Sequence, residues 1–344
     1  METLTLVTDK LVGIAGFLYI TAMVLYTFYL IFKNKNVGFA ATTAGFLGAL
    51  IHLVSFIMRW IEFYDFAGGG LLRAVPITNL YESLMFFALL LAWFYVILEF
   101  KTKNKSLGAF AFAISGATVL FISAVGASTH LNPLVPALQS NWLLAHVSLS
   151  FVAYVCFAVS AIAAMLYLIK ISESRKSYYY VIWTLVLGLS SSTVLFLILN
   201  KIFGSGSFLY VIYLITSILF ILLFYIKGLA IKNVFKSIDF DLDTLERIIY
   251  KFITAGFAIF TIGGLVFGAV WAETSWGRYW SWDPKETWAF ITWVIYGVYL
   301  HGRYSNRWSK EMASSIALIG FLVTIFTYLG VNLLFPGLHS YGSN

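Results

Sequence analysis

A run of tryptophans in the last quarter of the chain is the feature of this sequence with the clearest chemistry. Six of the eleven tryptophans lie between Trp271 and Trp293, in the run WAETSWGRYWSWDPKETWAFITW. Indole rings offer large, rigid apolar surfaces that lose little rotamer freedom on binding, so they suit a flat platform for a planar macrocycle. The sequence therefore predicts a tryptophan-rich binding loop over residues 271–293.

Polar residues are woven through this run, which the simpler alternative, an aromatic belt at the membrane interface, does not explain. Asp283 followed by Pro284 indicates a helix start, with Asp283 as N-cap, Pro284 at the first helical position and Glu286 at the third. Arg278 and Lys285 supply cations that can pair with carboxylates of a bound molecule. We expect this start to place the loop against the mouth of the helix that follows.

Histidines are the other residues suited to a site, because imidazole is a common metal ligand and proton carrier near neutral pH. The chain has five: His52, His130, His146, His301 and His339. They are spread along the sequence, so the elements that carry them decide which can act together.

Those elements are predicted to be membrane helices. The chain is 61% hydrophobic and 11% charged, with a mean hydropathy of +0.89, which a water-soluble domain could not carry without large exposed apolar patches. Apolar runs near the roughly 20 residues that a helix needs to cross a bilayer recur along the chain. Ten segments are predicted: Leu11 to Phe32, Val37 to Met58, Leu80 to Glu99, Ser106 to Ser128, Trp142 to Ile169, Tyr178 to Asn200, Phe208 to Ile231, Ile249 to Ala272, Thr287 to His301 and Met312 to Leu334.

These segments predict an all-α fold, a polytopic transmembrane helical bundle that forms a single integral-membrane domain over residues 1–344. The first segment follows an acidic residue and shows no small-residue cleavage pattern after it, which favours a retained helix over a signal peptide. Cys156 is the only cysteine and lies in an apolar helical pattern. Any thiol redox chemistry must therefore come from a partner.

Lysine and arginine gather in one set of alternate loops. That set holds 16 of the 22, and the other set, which includes both termini, holds 6. The positive-inside rule puts the richer set in the cytoplasm, and it accounts for the net charge of +7 without nucleic acid. Both termini and the loops at residues 60–79, 129–141 and 273–286 are then expected on the outer, periplasmic side.

On this topology two histidines face outward. His146 lies about one turn into the fifth segment from its outer end, and His339 lies in the outer C-terminal tail. His52 falls inside the second segment and His301 at the inner end of the ninth, where a polar side chain is costly and marks a functional candidate. At about 1.5 Å per residue His52 is nearer the outer face and His301 nearer the inner one, so a shared ligand requires a tilted or shifted helix. His130 is expected on the surface of an outer loop.

The run WGRYWSWDPKETWAFITW resembles the WWD signature of the haem-handling proteins of cytochrome c maturation, and the fuller resemblance is to the CcsA (ResC) component of the system II cytochrome c synthase. Three further stretches fit that family: PITNLYESL with Asn79, Tyr81 and Glu82; PALQSNWLLAHVSLSFVAY with His146; and GLHSYG with His339. Residues 178–231 then resemble a two-helix insertion relative to shorter members.

The resemblance implies a protein of a bacterial inner membrane that carries haem b to the outer face and promotes its thioether attachment to the CxxCH motif of apocytochrome c, as part of a haem lyase complex. His146 and His339 would be axial ligands of the exported haem iron, and His52 and His301 those of a second, transmembrane haem. The resemblance also implies that Asn79, Tyr81 and Glu82 line the outer mouth of the haem site. The residues of the tryptophan-rich loop that we predict to bind haem with them are Trp276, Arg278, Trp280, Trp282, Asp283 and Glu286.

The implied partners are a CcsB (ResB)-like membrane subunit, apocytochrome c, a thiol-reducing thioredoxin-like protein and membrane lipid. No residue is assigned as a catalytic acid or base, so any rate acceleration is expected from proximity. The alternative is a haem transporter or chaperone that presents haem to a separate ligase. A dihaem electron carrier of the cytochrome b type is disfavoured because no predicted helix holds two histidines, and a solute carrier because the halves show no internal repeat.

Overall fold

The computed structural model of the protein describes residues 2–67, 70, 74–127, 129, 131, 138–204, 206–235, 240–305 and 307–337. Within these residues every regular element is helical, which confirms the predicted all-α class. The helices are α1 (Glu2–Phe32), α2 (Lys35–Ala67), α3 (Leu80–Thr102), α4 (Gly108–Ala124), α5 (Asn141–Ile171), α6 (Tyr178–Phe203), α7 (Ser207–Phe235), α8 (Leu242–Phe260), α9 (Gly268–Trp276), α10 (Pro284–Tyr304), α11 (Lys310–Ile325) and α12 (Val331–Leu334).

Each of the ten predicted segments corresponds to a helical stretch, but among the described residues only eight stretches are long and apolar enough to cross a membrane by themselves. The two exceptions are α4 and α10. Helix α4 has 17 residues, which is about 26 Å at 1.5 Å per residue and short of a hydrocarbon core of about 30 Å. Helix α10 begins with Lys285 and Glu286 and ends with Arg303, so its apolar part is brief. The chain is a multi-pass membrane protein.

Helix α5 lies at the centre of the bundle. Every residue from Val155 to Ile169 is buried, and α5 packs against α3, α8 and α11. Small side chains such as Ala158, Ser160 and Ala164 let the neighbouring helices approach closely, which is the main source of helix association where lipid removes the hydrophobic driving force. Residues near the N-terminal end of α5 are thereby fixed relative to several helices at once.

The remaining helices form two groups around this centre. Helices α1, α2, α3 and α4 pack on one another, whereas α6 and α7 pair closely with each other. A Cβ atom at Gly188 of α6 would lie 2.7 Å from Cα of Ile221 in α7, so only glycine permits this approach. The outward face of α7 is apolar and exposed, as expected for a lipid-facing surface. That residues 178–231 are an insertion remains a prediction.

Two helices contain a π-helical turn. Residues Thr261–Phe267 join α8 to α9, and residues Phe326–Gly330 join α11 to α12, so that each pair forms one continuous helical rod. Such turns are rare in proteins and occur often at functional sites. Both contribute to the cavities described next.

Candidate functional site

The tryptophan-rich loop ends in the predicted helix start. Asp283 is the N-cap of α10, Pro284 occupies the first turn, and Asp283 and Glu286 form a capping box. The backbone N–H of Lys285 donates to Asp283 Oδ2 at 3.1 Å, and that of Asp283 donates to Glu286 Oε2 at 3.2 Å. Glu286 Oε2 also accepts from the backbone N–H of Ser281 at 2.7 Å and from its hydroxyl at 3.1 Å. One buried carboxylate thus fixes the last residues of the loop to the helix.

The tryptophan rings do not form the single flat platform that the sequence suggested. Trp280 meets Trp282 edge to face, with ring centroids 5.8 Å apart and planes at 86°. Trp271 meets Trp276 at 4.9 Å and 63°, and Trp288 packs instead on Phe326. Aromatic pairs favour such tilted arrangements because of their quadrupoles, so neighbouring indoles turn against one another. The expectation of a flat platform is therefore wrong for this conformation.

The tip of the loop is the part presented outward. Trp282 has φ 59°, a left-handed conformation that costs a residue with a Cβ about 1–2 kcal/mol. Its side chain is 67% exposed, and that of Tyr279 is 62% exposed. The capping box described above holds this conformation, and strained residues of this kind cluster at binding sites. The exposed rings form an apolar surface at the end of the bundle.

His146 lies beside this loop although more than 120 residues separate them in sequence. Its Nδ1 is 2.8 Å from the carbonyl oxygen of Gly263, in the π-helical turn after α8. Its ring stacks on Trp271, with centroids 6.0 Å apart and planes at 13°. The central helix therefore delivers an imidazole to the base of the tryptophan-rich loop.

Two adjoining cavities flank His146, and four residues line both: His146, Ser150, Tyr154 and Lys285. The first cavity is bounded further by the start of α3 and by α11–α12, through Asn79, Ser83, Leu138, Trp271, Tyr328 and Asn332. The second is bounded by the loop and the two π-helical turns, through Gly264, Leu265, Tyr279, Trp280, Glu286 and Thr327. Hydroxyl, amide and ammonium groups thus surround the imidazole within a largely apolar frame.

Lys285 is the cation of this site. Its Nζ donates to Asn332 Oδ1 at 2.8 Å and lies 5.4 Å from the centre of the Tyr328 ring. Among the residues that the structure describes, no carboxylate lies within ion-pairing distance of it. Arg278 is exposed and does not line either cavity. Of the two predicted cations, the structure therefore directs Lys285 to the interior.

Trp280 adds a buried donor that has no acceptor among the residues described. Its indole Nε1 is buried and has no hydrogen-bond partner in the described part of the chain. A buried N–H without an acceptor costs free energy, so such groups usually meet water or a ligand. Trp280 also lines the second cavity.

The stretch around Asn79 has a mainly structural role in this conformation. Asn79 is the N-cap of α3 and accepts from the backbone N–H of Glu82 at 2.8 Å. Tyr81 donates to Asp9 at 2.8 Å, and Glu82 lies 3.3 Å from Arg59 in a fully buried ion pair. Asn79 alone of the three predicted residues lines a cavity beside His146. Tyr81 and Glu82 instead join the start of α3 to α1 and α2.

The structure does not bring His52 and His301 together. His52 is completely buried, with Nδ1 3.0 Å from the Tyr19 hydroxyl and Nε2 without a partner among the described residues. His301 is exposed in the last turn of α10, which packs against α8 and α11 rather than around His52. Their shared ligand remains a prediction that needs a different helix arrangement.

His130 and His339 lie outside the described residues. The described chain nevertheless ends close to the tryptophan-rich loop. Gly337 approaches the Asp283 carboxylate so closely that a Cβ atom at that position would collide with Oδ1. The residue two positions before His339 is therefore at the N-terminus of α10.

Several cavity residues were not predicted from the sequence. Tyr328 and Asn332 are one helical turn apart on the last membrane segment, and this polar pair in an apolar run was an available signal. Gly263 and Gly264 form a glycine pair inside a helix, where glycine is costly. Tyr154 gave no signal, because an aromatic residue is ordinary in an apolar helix.

Comparison with known proteins decides the family. The family model "Cytochrome C assembly protein" matches residues 77–339, which is more than half of the chain. The chain belongs to the cytochrome c assembly protein family. It is 35% identical over 325 residues to the "Cytochrome c biogenesis protein CcsA" of Guillardia theta, covering 93% of this chain and 92% of that one. Proteins of the same name from Porphyra purpurea (36% over 278 residues, 78% of each) and Prochlorococcus marinus strain NATL2A (33% over 336 residues, 96% and 93%) are also similar. The resemblance to the CcsA family is confirmed, and its role is in cytochrome c biogenesis.

Proposed function

We propose that this protein carries haem b to the outer face of a bacterial inner membrane, holds it beside the tryptophan-rich loop, and promotes thioether attachment to the CxxCH motif of apocytochrome c. The observation that carries the proposal is the meeting of His146, Lys285 and Trp280 around two adjoining cavities. These groups come from α5 and from the WWD run, which are distant in sequence and supply an imidazole, an ammonium and an indole N–H to one region.

The residues present fit a haem. His146 offers an imidazole for the iron, and His339 is the second axial ligand we propose, since the chain reaches Asp283 two residues earlier. Lys285 offers a cation without a carboxylate partner among the described residues, which suits a propionate. Trp280 offers a buried N–H, and the exposed rings of Trp282 and Tyr279 offer apolar surface for the macrocycle. Trp276 is the third tryptophan that we propose to bind haem.

The contribution of the protein to the reaction is orientation. Haem supplies the two vinyl groups, and apocytochrome c supplies the two thiols that add to them. Lys285 lies in the interior, so it would hold the propionate edge inward and leave the opposite, vinyl-bearing edge toward the outer surface. Fixing the reactants in this way converts an encounter in solution into a reaction within one complex. Two imidazoles on the iron would also protect its reduced state.

The proposed thiol-reducing partner follows from the cysteine content of the chain, and the proposed membrane partner follows from the family resemblance. Cys156 is buried in α5, and it is the only cysteine, so the protein has no accessible thiol of its own. We propose that a thioredoxin-like protein keeps the apocytochrome thiols reduced and that a CcsB (ResB)-like membrane subunit completes the complex. The distribution of lysine and arginine supports a site that faces the periplasm.

The proposal is tested by co-expression with an apocytochrome c and a CcsB-like subunit in a host without its own maturation system. Covalent haem on the cytochrome is expected with the wild-type chain and is expected to disappear with His146→Ala. It is expected to persist with the control His130→Ala, because the family resemblance assigns no role to that histidine. Covalent haem that persists in full with His146→Ala would refute the assignment. The transporter alternative would instead be established if haem co-purifies in a manner that depends on His146 but covalent product forms only after a separate ligase is added.

A further inference from the structure

The hydrogen bond of His146 fixes which of its nitrogens carries the proton. A backbone carbonyl can only accept, so the contact of 2.8 Å between Nδ1 and the oxygen of Gly263 requires a proton on Nδ1. In the neutral ring Nε2 then carries the lone pair. The tautomer with its proton on Nε2 would place two acceptors face to face and is excluded by this geometry.

Trp271 and Gly268 also hold the imidazole ring of His146 in place. Trp271 stacks on it at 6.0 Å. Gly268 passes so close that a Cβ atom there would lie 2.9 Å from both Nδ1 and Cε1 of the imidazole. The ring is therefore held by a carbonyl, by an indole face and by a bare stretch of backbone, all from the segment that follows α8.

The contacts with Gly263 and Gly268 depend on the π-helical turn Thr261–Phe267. In a regular α-helix, Gly263 and Gly268 would lie five residues and about 140° apart around the axis, on nearly opposite faces. A π-helical turn closes hydrogen bonds between residues five apart, which brings such positions toward one face. The extra residue in this helix thus allows one imidazole to contact Gly263 and Gly268 at once.

We infer that the π-helical turn after α8 is a positioning device for His146, which sets its Nδ1–H tautomer and directs the Nε2 lone pair to a metal. The inference deepens the proposed function, because the metal in question is the haem iron. Histidines that bind metals usually donate their other N–H to a carbonyl or carboxylate, and this partner fixes the ring and raises its basicity. Gly263 fills that role through its backbone.

The first test needs no haem. Nitrogen-15 NMR of the full-length protein labelled on histidine, in lipid and at alkaline pH, separates protonated from lone-pair ring nitrogens, and His146→Gln identifies the signals of residue 146. We expect the proton on Nδ1 and the lone pair on Nε2. A proton found on Nε2 would overturn the inference, whatever haem binding shows.

The second test alters the turn. Deleting Ile262, whose side chain is 50% exposed, removes the extra residue with little loss of packing. Gly268→Ala places a methyl group against the imidazole. Both changes are expected to weaken haem binding roughly 10- to 100-fold, as the loss of an outer-shell partner does, and to alter the low-spin absorption spectrum. The control is Gly297→Ala, whose Cβ would meet nothing closer than 3.6 Å.

The outcomes separate this inference from the proposed function. If His146→Ala leaves haem binding unchanged, the proposed function fails, but the tautomer measured in the first experiment still stands or falls by itself. If His146→Ala abolishes haem binding but the variant that lacks Ile262 binds haem with wild-type affinity and spectrum, the positioning role of the turn is refuted. The assignment of His146 to the haem site would still stand.

Discussion

Glu286 is the residue through which the conformation of the tryptophan-rich loop is most directly tested. Its Oε2 accepts three hydrogen bonds, at 2.7, 3.1 and 3.2 Å, and the side chain is buried. Replacing it by glutamine keeps the size and an acceptor oxygen but removes the charge. Hydrogen bonds to a charged acceptor contribute about 1.5–3 kcal/mol each, roughly twice the value for neutral pairs.

The expected cost follows from these values. The three hydrogen bonds share one oxygen, so their free energies are not additive. Halving their combined free energy by removing the charge is expected to destabilise the closed loop by about 2 kcal/mol, which is a factor of roughly 30 in its opening equilibrium. Burial limits screening by solvent, so this effect should depend little on salt. The backbone amides of Ser281 and Asp283 donate to this carboxylate. Their exchange with deuterium should therefore be roughly 30-fold faster in Glu286→Gln than in the wild type.

The assay is hydrogen–deuterium exchange on the protein in lipid nanodiscs, read on fragments that contain these two amides. Glu273→Gln is the matched control, because this glutamate lies in the same segment and its side chain has no hydrogen bond with a described residue. Equal exchange in Glu286→Gln and wild type would refute the idea that this carboxylate holds the loop. Equal acceleration in both variants would show a general loosening instead.

The remaining predictions concern the cation of the site and two packing contacts. Lys285→Met should weaken haem binding about tenfold or more in a spectroscopic titration without changing the affinity for haem dimethyl ester, whereas Arg278→Met should change neither; equal loss for both ligands would contradict a propionate contact. Arg59→Met leaves Glu62 and Glu82 buried without their cation and should lower the free energy of unfolding by about 3–5 kcal/mol. A variant as heat-stable as the wild type would disprove the contribution of these ion pairs. Gly188→Ala should cost about 1–3 kcal/mol because its methyl group meets the backbone of α7, whereas Gly13→Ala meets nothing within 4 Å and should be neutral in the same thermal assay.

Local patterns predicted the parts of this protein that depend on neighbouring residues. The apolar runs predicted the helices, since a bilayer allows few other structures across it. The order Asp283, Pro284, Glu286 predicted the start of α10, because a capping box is formed within one turn. Length and composition identify only eight of the ten predicted spans among the described residues, because a helix short of 20 apolar residues can still lie between its neighbours, as α4 does.

Which residues face the site was decided by packing between distant helices. The sequence offered Arg278 and Lys285 as equivalent cations, and only the direction of the first turn of α10 made Lys285 the interior one. The sequence placed Tyr81 and Glu82 at the mouth of the site together with Asn79. In the structure Tyr81 contacts α1 and Glu82 contacts α2, so neither lines a cavity beside His146.

By itself the sequence determined a multi-helix membrane protein with a capped, tryptophan-rich loop, because helix propensity, apolar length and capping act over one or a few turns. Only the tertiary structure decided that His146 meets a carbonyl in a π-helical turn and lies between two cavities. That contact joins α5 to a π-helical turn more than 100 residues later in the chain. No local pattern specifies such a register, because it is selected by how the helices pack against each other.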